Sequence, residues 1–284
     1  MAFTKILLTL GLTLLLAASI PAASAQSPED FVAEAFQQLD AGQESRARRN
    51  LERADNELSD SSDPELRGRL ALGWARYWRW RRSWDRAAEH AVTADELLGA
   101  AGSAPDLVAE ARYQAGYAFY RANDIREAHE AFASALAIYA AERDLLDGRR
   151  LRANGWATMT RELADRLERD EREDGSGVFV IAQHARPEDG ALQAIGPVWA
   201  HTESPGFDVT AWHGRMDGFV VALVDAGPDG EPVNLRVLES HPGDLWDLEL
   251  RYALRTWRLD LSDPDARRTD IAVTFVWAVQ RHQR

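Results

Sequence analysis

The sequence predicts an α+β chain of more than one domain: an N-terminal array of helical hairpins, then a small C-terminal α+β domain on an antiparallel sheet. Three observations carry this. From Phe31 to about Asp170 strand signals are nearly absent, and Ala, Leu, Arg and Glu alternate with regularly spaced turn residues. Small-residue trios recur there at helical spacing. Beyond Gly177 the apolar period changes from that of a helix to the alternation of a strand.

The first element is an address. Lys5 precedes the apolar run Ile6 to Ile20, Pro21 breaks it, and Ala23-Ser24-Ala25 supplies the small residues that signal peptidases cleave after. The pattern predicts a signal peptide over 1–25, a mature chain from Gln26 and export to the periplasm. The alternative is a retained inner-membrane anchor, for which the run is short of the roughly 20 residues that cross a bilayer core. Lys5 is the only lysine, so cleavage moves the net charge from -13 to -14 and leaves arginine as the sole fixed cation. Such a surface repels nucleic acid and anionic lipid, and contact with a membrane is expected only if the signal stays attached. The chain has no cysteine, which excludes disulfides, thiolate metal sites and cysteine nucleophiles.

Residues 28–170 form the predicted array. Ala47, Leu51 and Ala54 match Ala87, Ala91 and Ala94, and then Ala128, Phe132 and Ala135, with repeat periods of 40 and 41 residues. Each trio falls at i, i+4, i+7, on one helical face, and supplies the small residues that let helices cross closely. Gly73 and Gly116 do the same on the preceding helices. AGYAFY (Ala115 to Tyr120) with the third trio resembles the tetratricopeptide repeat, so the array is expected to be tetratricopeptide-like. The polar stretch from Arg149 to Asp170 is expected to close it as a terminal cap.

WARYWRWRRSW, Trp74 to Trp84, sets four tryptophans among four arginines. One reading makes Trp78, Arg79, Trp80 and Arg82 a binding surface on the repeats, guanidinium stacking on aromatic rings. The other packs Trp74 and Trp78 against a neighbouring helix, with the arginines at the rim.

Residues 171–177, EREDGSG, have linker character. In 178–282, VFVIAQH comes first, followed by a Pro- and Gly-rich stretch. Gly218 to Ser240 then reads as a hairpin: Phe219, Val221 and Leu223 alternate with Val220, Ala222 and Val224, and Val233, Leu235 and Val237 return beyond the turn at Gly227-Pro228-Asp229-Gly230. Asp244 is placed to cap a helix whose apolar stripe is Trp246, Leu250, Ala253, Leu254 and Trp257. DIAVTFVWAV supplies a final strand with Ile271, Val273, Phe275 and Trp277 on one face.

Strand, strand, helix and strand in this order make a small α+β sandwich. Gly218 with FVVALV, the turn PDGEPV, VLES with Pro242 and the helix end RTWRL resemble the C-terminal domain of TonB-family energy transducers. The family's Tyr-Pro pair ahead of the first strand is replaced around Pro197 to Ala200, and no proline-rich spacer follows the leader. The resemblance implies a periplasmic domain that captures an extended peptide of an outer-membrane receptor at the edge formed by its last strand. Carried over, that edge is Ile271, Ala272, Val273, Thr274, Phe275 and Val276. Function follows as an expectation: an envelope adaptor whose sheet takes one protein or peptide partner and whose repeats take another. The alternatives are an anchored transducer serving outer-membrane transport and a scaffold whose TonB-like domain binds nothing.

No catalytic constellation accompanies these motifs. His184, His201, His213 and His241 fall at no close helical spacing, HExxH is absent, and Gly175 to Gly177 lacks the context of a nucleophile elbow. The sequence therefore predicts a protein that is not an enzyme and uses neither cofactor nor metal.

Overall fold

A computed structural model describes residues 26–58, 63–144, 147–169, 178–182, 199–201, 218–241, 250–251, 254–259, 261–262 and 268–278. The signal-peptide expectation lies outside them, as do Asp244, Trp246 and Ala253. No helix among the described residues is long and apolar enough to cross a membrane.

Among the described residues seven helices come first: α1 (Pro28–Asp40), α2 (Glu44–Leu58), α3 (Pro64–Trp80), α4 (Trp84–Ala100), α5 (Pro105–Ala122), α6 (Ile125–Glu142) and α7 (Gly148–Arg169). Their boundaries are written in side chains. Ser27 and Asp30 form a reciprocal capping box ahead of α1, Asp63 accepts the Glu65 N–H ahead of α3, and Pro28, Pro64 and Pro105 open their helices, where a missing N–H costs nothing. Asn123, with φ 76°, ends α5 in the left-handed conformation.

Successive helices pair, and α1 also meets α3 and α3 meets α5, so the three hairpins stack side by side. Every residue of the three trios is buried. Their partners are the glycines: a Cβ on Gly73 would lie 2.7 Å from Leu51, and one on Gly116 would lie 2.9 Å from the Phe132 ring.

The strands follow: β1 (Val178–Ala182), β2 (Trp199–His201), β3 (Gly218–Ala226), β4 (Pro232–His241), β5 (Arg258–Leu259) and β6 (Ile271–Ala278). Four of them form an antiparallel sheet in the order β1-β6-β3-β4, and β2 pairs separately with β5. The α+β layout expected from the sequence is therefore present, with a strand added. The hairpin runs from Phe219↔His241 to Ala226↔Pro232. Gly230 in its turn has φ +79°, and a Cβ there would meet the Leu259 carbonyl at 2.5 Å. Only glycine fits both conditions. The Leu259 N–H donates to Gly230 O at 2.7 Å, fastening β5 to the hairpin.

Strand alternation gives the sheet two covered faces. Val220, Ala222, Val224, Ile271, Val273 and Phe275 face Leu250, Leu254, Trp257 and Leu259. Leu250 and Arg251 are helical and Leu254–Thr256 make a single 3-10 turn, so the described part of the expected helix ends more tightly than its period suggests. Trp257 is fully buried against Phe275, ring centroids 5.1 Å apart.

The other face rests on α7, and this corrects the expectation of a solvent-facing cap. From Ala153 to Thr160 every residue of α7 is buried. One side of the helix packs on α6 and the other on β3, β4 and β6. Trp156 joins the two, stacked on Phe132 at 5.1 Å and edge-on to Phe219 at 5.1 Å, within one core that also holds Tyr113, Tyr120, Val221 and Val276.

Candidate functional site: a strand-accepting sheet flank

The sequence puts Ile271 to Val276 on an exposed edge. The sheet order overturns that position. β6 lies between β3 and β1, paired with β3 from Gly218↔Trp277 to Val224↔Ile271 and with β1 from Val178↔Ala278 to Ala182↔Thr274. The reason is the segment VFVIA: five extended residues just after the linker cover the last strand from the side. Its apolar run was visible in the sequence, but nothing local says which strand it joins.

The side chains of β6 are committed as well. Ile271, Val273 and Phe275 are buried beneath the Trp257 layer, and Val276 faces α7. Thr274 is fully buried, its hydroxyl accepting a hydrogen bond from Asn154 Nδ2 at 3.1 Å. Along Ile271–Val276 the backbone is therefore what a further strand can pair with. On the β1 side the ladder ends at Thr274, so Ile271, Ala272 and Val273 have a strand partner only in β3 among the described residues.

The opposite flank is different. Among the described residues β4 pairs only with β3, but its register shifts twice, and Asn234 sits at φ 53°. Arg236 is ion-paired with Asp270, and Glu239 with Arg152 at 2.9 Å. Bulges and charges of this kind discourage the pairing of a further strand. The β6 flank carries no bulge in either of its ladders.

The four array residues do not gather into one surface. Trp78 lies 6.3 Å from Trp74, with the Arg86 guanidinium 4.5 Å above its ring. Arg79 turns to α5, stacking 4.1 Å over Tyr117 and donating to Gln114 Oε1 at 3.0 Å. Trp80, 54 % exposed, lies over the α1–α2 turn near Gly42, and Arg82 occupies the α3–α4 turn at φ 56°. A helix turns about 100° per residue, so neighbours in sequence diverge in space. What forms instead is a cavity of about 440 Å³ walled by Trp74, Trp78 and His90, floored by Leu58, Leu70 and Leu97 and rimmed by Asp55 and Arg67. Desolvation of its ring lowers the His90 pKa. Only Trp78 of the sequence-derived set lines this cavity; Asp55, Arg67 and His90 come from three helices with no motif to link them.

Among the described residues no three His, Asp or Glu side chains gather to hold a metal ion. His241 ends β4 and packs 4.4 Å from Trp156.

Fold and flank together define the class: a helical-hairpin array fused through α7 to a small α+β sheet in which an extended strand, β1, pairs beside the last one. In comparisons with known proteins, no family model and no solved structure matches. Two curated proteins do, over one limited region. The TonB protein of Escherichia coli K12 is 30 % identical over 71 residues, 25 % of this chain and 30 % of that protein. The TonB protein of Klebsiella pneumoniae is 30 % identical over 69 residues, 24 % of this chain and 28 % of that protein. The chain thus spans less than a third of the length of these curated relatives and contains a TonB-like region.

Proposed function

We propose that the protein is a non-enzymatic adaptor of the cell envelope. It captures an extended peptide along the β6 flank of its sheet, an outer-membrane receptor segment being the partner class that the TonB likeness favours, while its tetratricopeptide-like array holds a second protein. One observation supports this reading: the flank of β6 is paired antiparallel with a five-residue extended segment, β1, from Val178↔Ala278 to Ala182↔Thr274. A structural role for the sheet is the second reading, favoured by α7, which fills one face of the sheet with the array's own core.

Proline scanning separates the two. Ala272 and Val273 are adjacent, so their N–H groups point to opposite neighbours, one to β3 and one to the β1 side of the strand. Of Ala272→Pro and Val273→Pro, one is expected to lower the melting temperature and the other to keep it while losing the protein that crosslinks to β6 in envelope extract. If both unfold the chain, or if neither changes the crosslinked protein, capture at this flank is wrong.

A further inference from the structure

We propose that Val178–Ala182 is an internal occupant of the peptide site, a strand of the same chain that an external extended peptide must displace. The inference rests on the reading that the β6 flank captures peptides, and it concerns how that flank is controlled.

Length comes first. Among the described residues β1 has five residues against eight in β6 and pairs with β6 alone, whereas β3 is held between β6 and β4. A strand with one short ladder opens at lower free energy than one held on both sides. The register adds a route. β1 is paired without a break from Val178↔Ala278 to Ala182↔Thr274, the antiparallel geometry that an extended peptide can adopt beside β6. Each pair an incoming peptide forms there replaces one of β1's, and the backbone hydrogen bonds lost and gained balance along the strand.

Tethering sets the threshold. Only Asp170 to Gly177 separate the end of α7 from β1, and α7 is anchored on the sheet. A link this short holds its strand at an effective concentration on the order of millimolar. A free peptide therefore binds with its intrinsic affinity reduced by the small fraction of molecules in which β1 is out. The flank would reject weak, non-specific strands and admit a segment that pairs better or reaches the protein at high local concentration.

The test uses the full chain and a labelled synthetic peptide of residues 177–184 as probe. Val178 and Ala278 are directly opposite, and antiparallel partners are separated by about 4.5–5.5 Å, within reach of a disulfide. Because the chain has no cysteine, Val178→Cys with Ala278→Cys staples β1 in place without competing thiols. Val180→Pro weakens β1 instead. The stapled chain is expected to bind no probe and to regain weak binding on reduction, and Val180→Pro to bind about tenfold or more tightly than the unaltered chain. Equal affinity in all forms overturns the inference but leaves peptide capture standing at another edge. A folded Val180→Pro that binds nothing overturns capture itself, and the inference with it. If Val180→Pro unfolds, hydrogen exchange on the unaltered chain decides: amides of Val178–Ala182 should exchange at least about tenfold faster than those of β3, and equal protection would show β1 to be a permanent strand.

Discussion

At Gly155 a missing side chain decides how closely α7 lies on the sheet. A Cβ there would stand 2.6 Å from two ring carbons of Phe219 and 2.9 Å from Val221, both buried and walled in by Trp156 and β6. Helix propensity alone would reward a larger residue by up to about 1 kcal/mol over glycine. Packing opposes it: Gly155→Val should overfill the interface and lower stability by about 1–3 kcal/mol. Gly99, with open space around its Cβ direction, is the control, and Gly99→Ala should leave stability unchanged or slightly raised. Denaturant titration of the two variants checks both signs. If Gly155→Val unfolds at the same midpoint as the unaltered chain, α7 does not sit this close. His129 supplies a second measurable residue. Desolvation between α6 and α7 lowers its pKa, opposed by the hydrogen bond its Nδ1 donates to Ala157 O at 3.2 Å. Its folded value thus lies below the ordinary 6.5 or so. The unfolded chain binds more protons in the interval, so stability falls as pH drops from about 7 through that interval and levels off below the folded value. His129→Gln should flatten this part of the stability–pH curve, and an unchanged slope would place the acid sensitivity elsewhere.

At the scale of elements, what was legible in the sequence is what local chemistry determines. The small-residue trios mark helix crossings because no larger side chain fits between paired helices, and all nine residues are buried. The hairpin was legible because Gly227 to Gly230 can turn there and the flanking residues alternate. The candidate site was legible only as a strand, not as a position. Whether Ile271–Val276 is an edge depends on where VFVIA docks, about a hundred residues away along the chain, and strand chemistry is the same for an edge and its neighbour. The reading of α7 failed for a related reason. Its arginines and glutamates suggest a capping helix, yet the turn Asn154-Gly155-Trp156-Ala157-Thr158 is buried on both sides, its Asn154 satisfied by Thr274 and its Thr160 by the Trp156 carbonyl at 2.8 Å. Polar residues that find partners across an interface look identical, in sequence, to those that face water.

Over the whole molecule, α7 turns two architectures into one cooperative body. The array contributes Phe132, Tyr113 and Tyr120, the sheet contributes Phe219, Val221 and Val276, and Trp156 touches members of both sets. A four-stranded sheet of this size has one face closed by the Trp257 layer and needs the other covered, because an open apolar face would leave it marginal. Helical hairpins alone would have different demands, since each stacks on its neighbours and a terminal unit needs only a polar outer side. The shared core therefore makes the sheet dependent on the array more than the reverse. Trp156→Ala removes the ring that joins them, at an expected loss of about 3–5 kcal/mol from transfer and cavity terms. The effect should be uneven. In the unaltered chain, helix content and protection of the β3 and β6 amides are expected to disappear in one transition. In Trp156→Ala the β3 and β6 amides should lose protection first, while α1 to α4, whose cores contain no sheet residue, keep theirs to a higher denaturant concentration. Hydrogen exchange followed across the denaturation curve tests this directly. Simultaneous loss from α1 to β6 in the variant would mean that cooperativity runs along the helices and not through Trp156, and loss in two separate steps in the unaltered chain would mean that the sheet folds without the array.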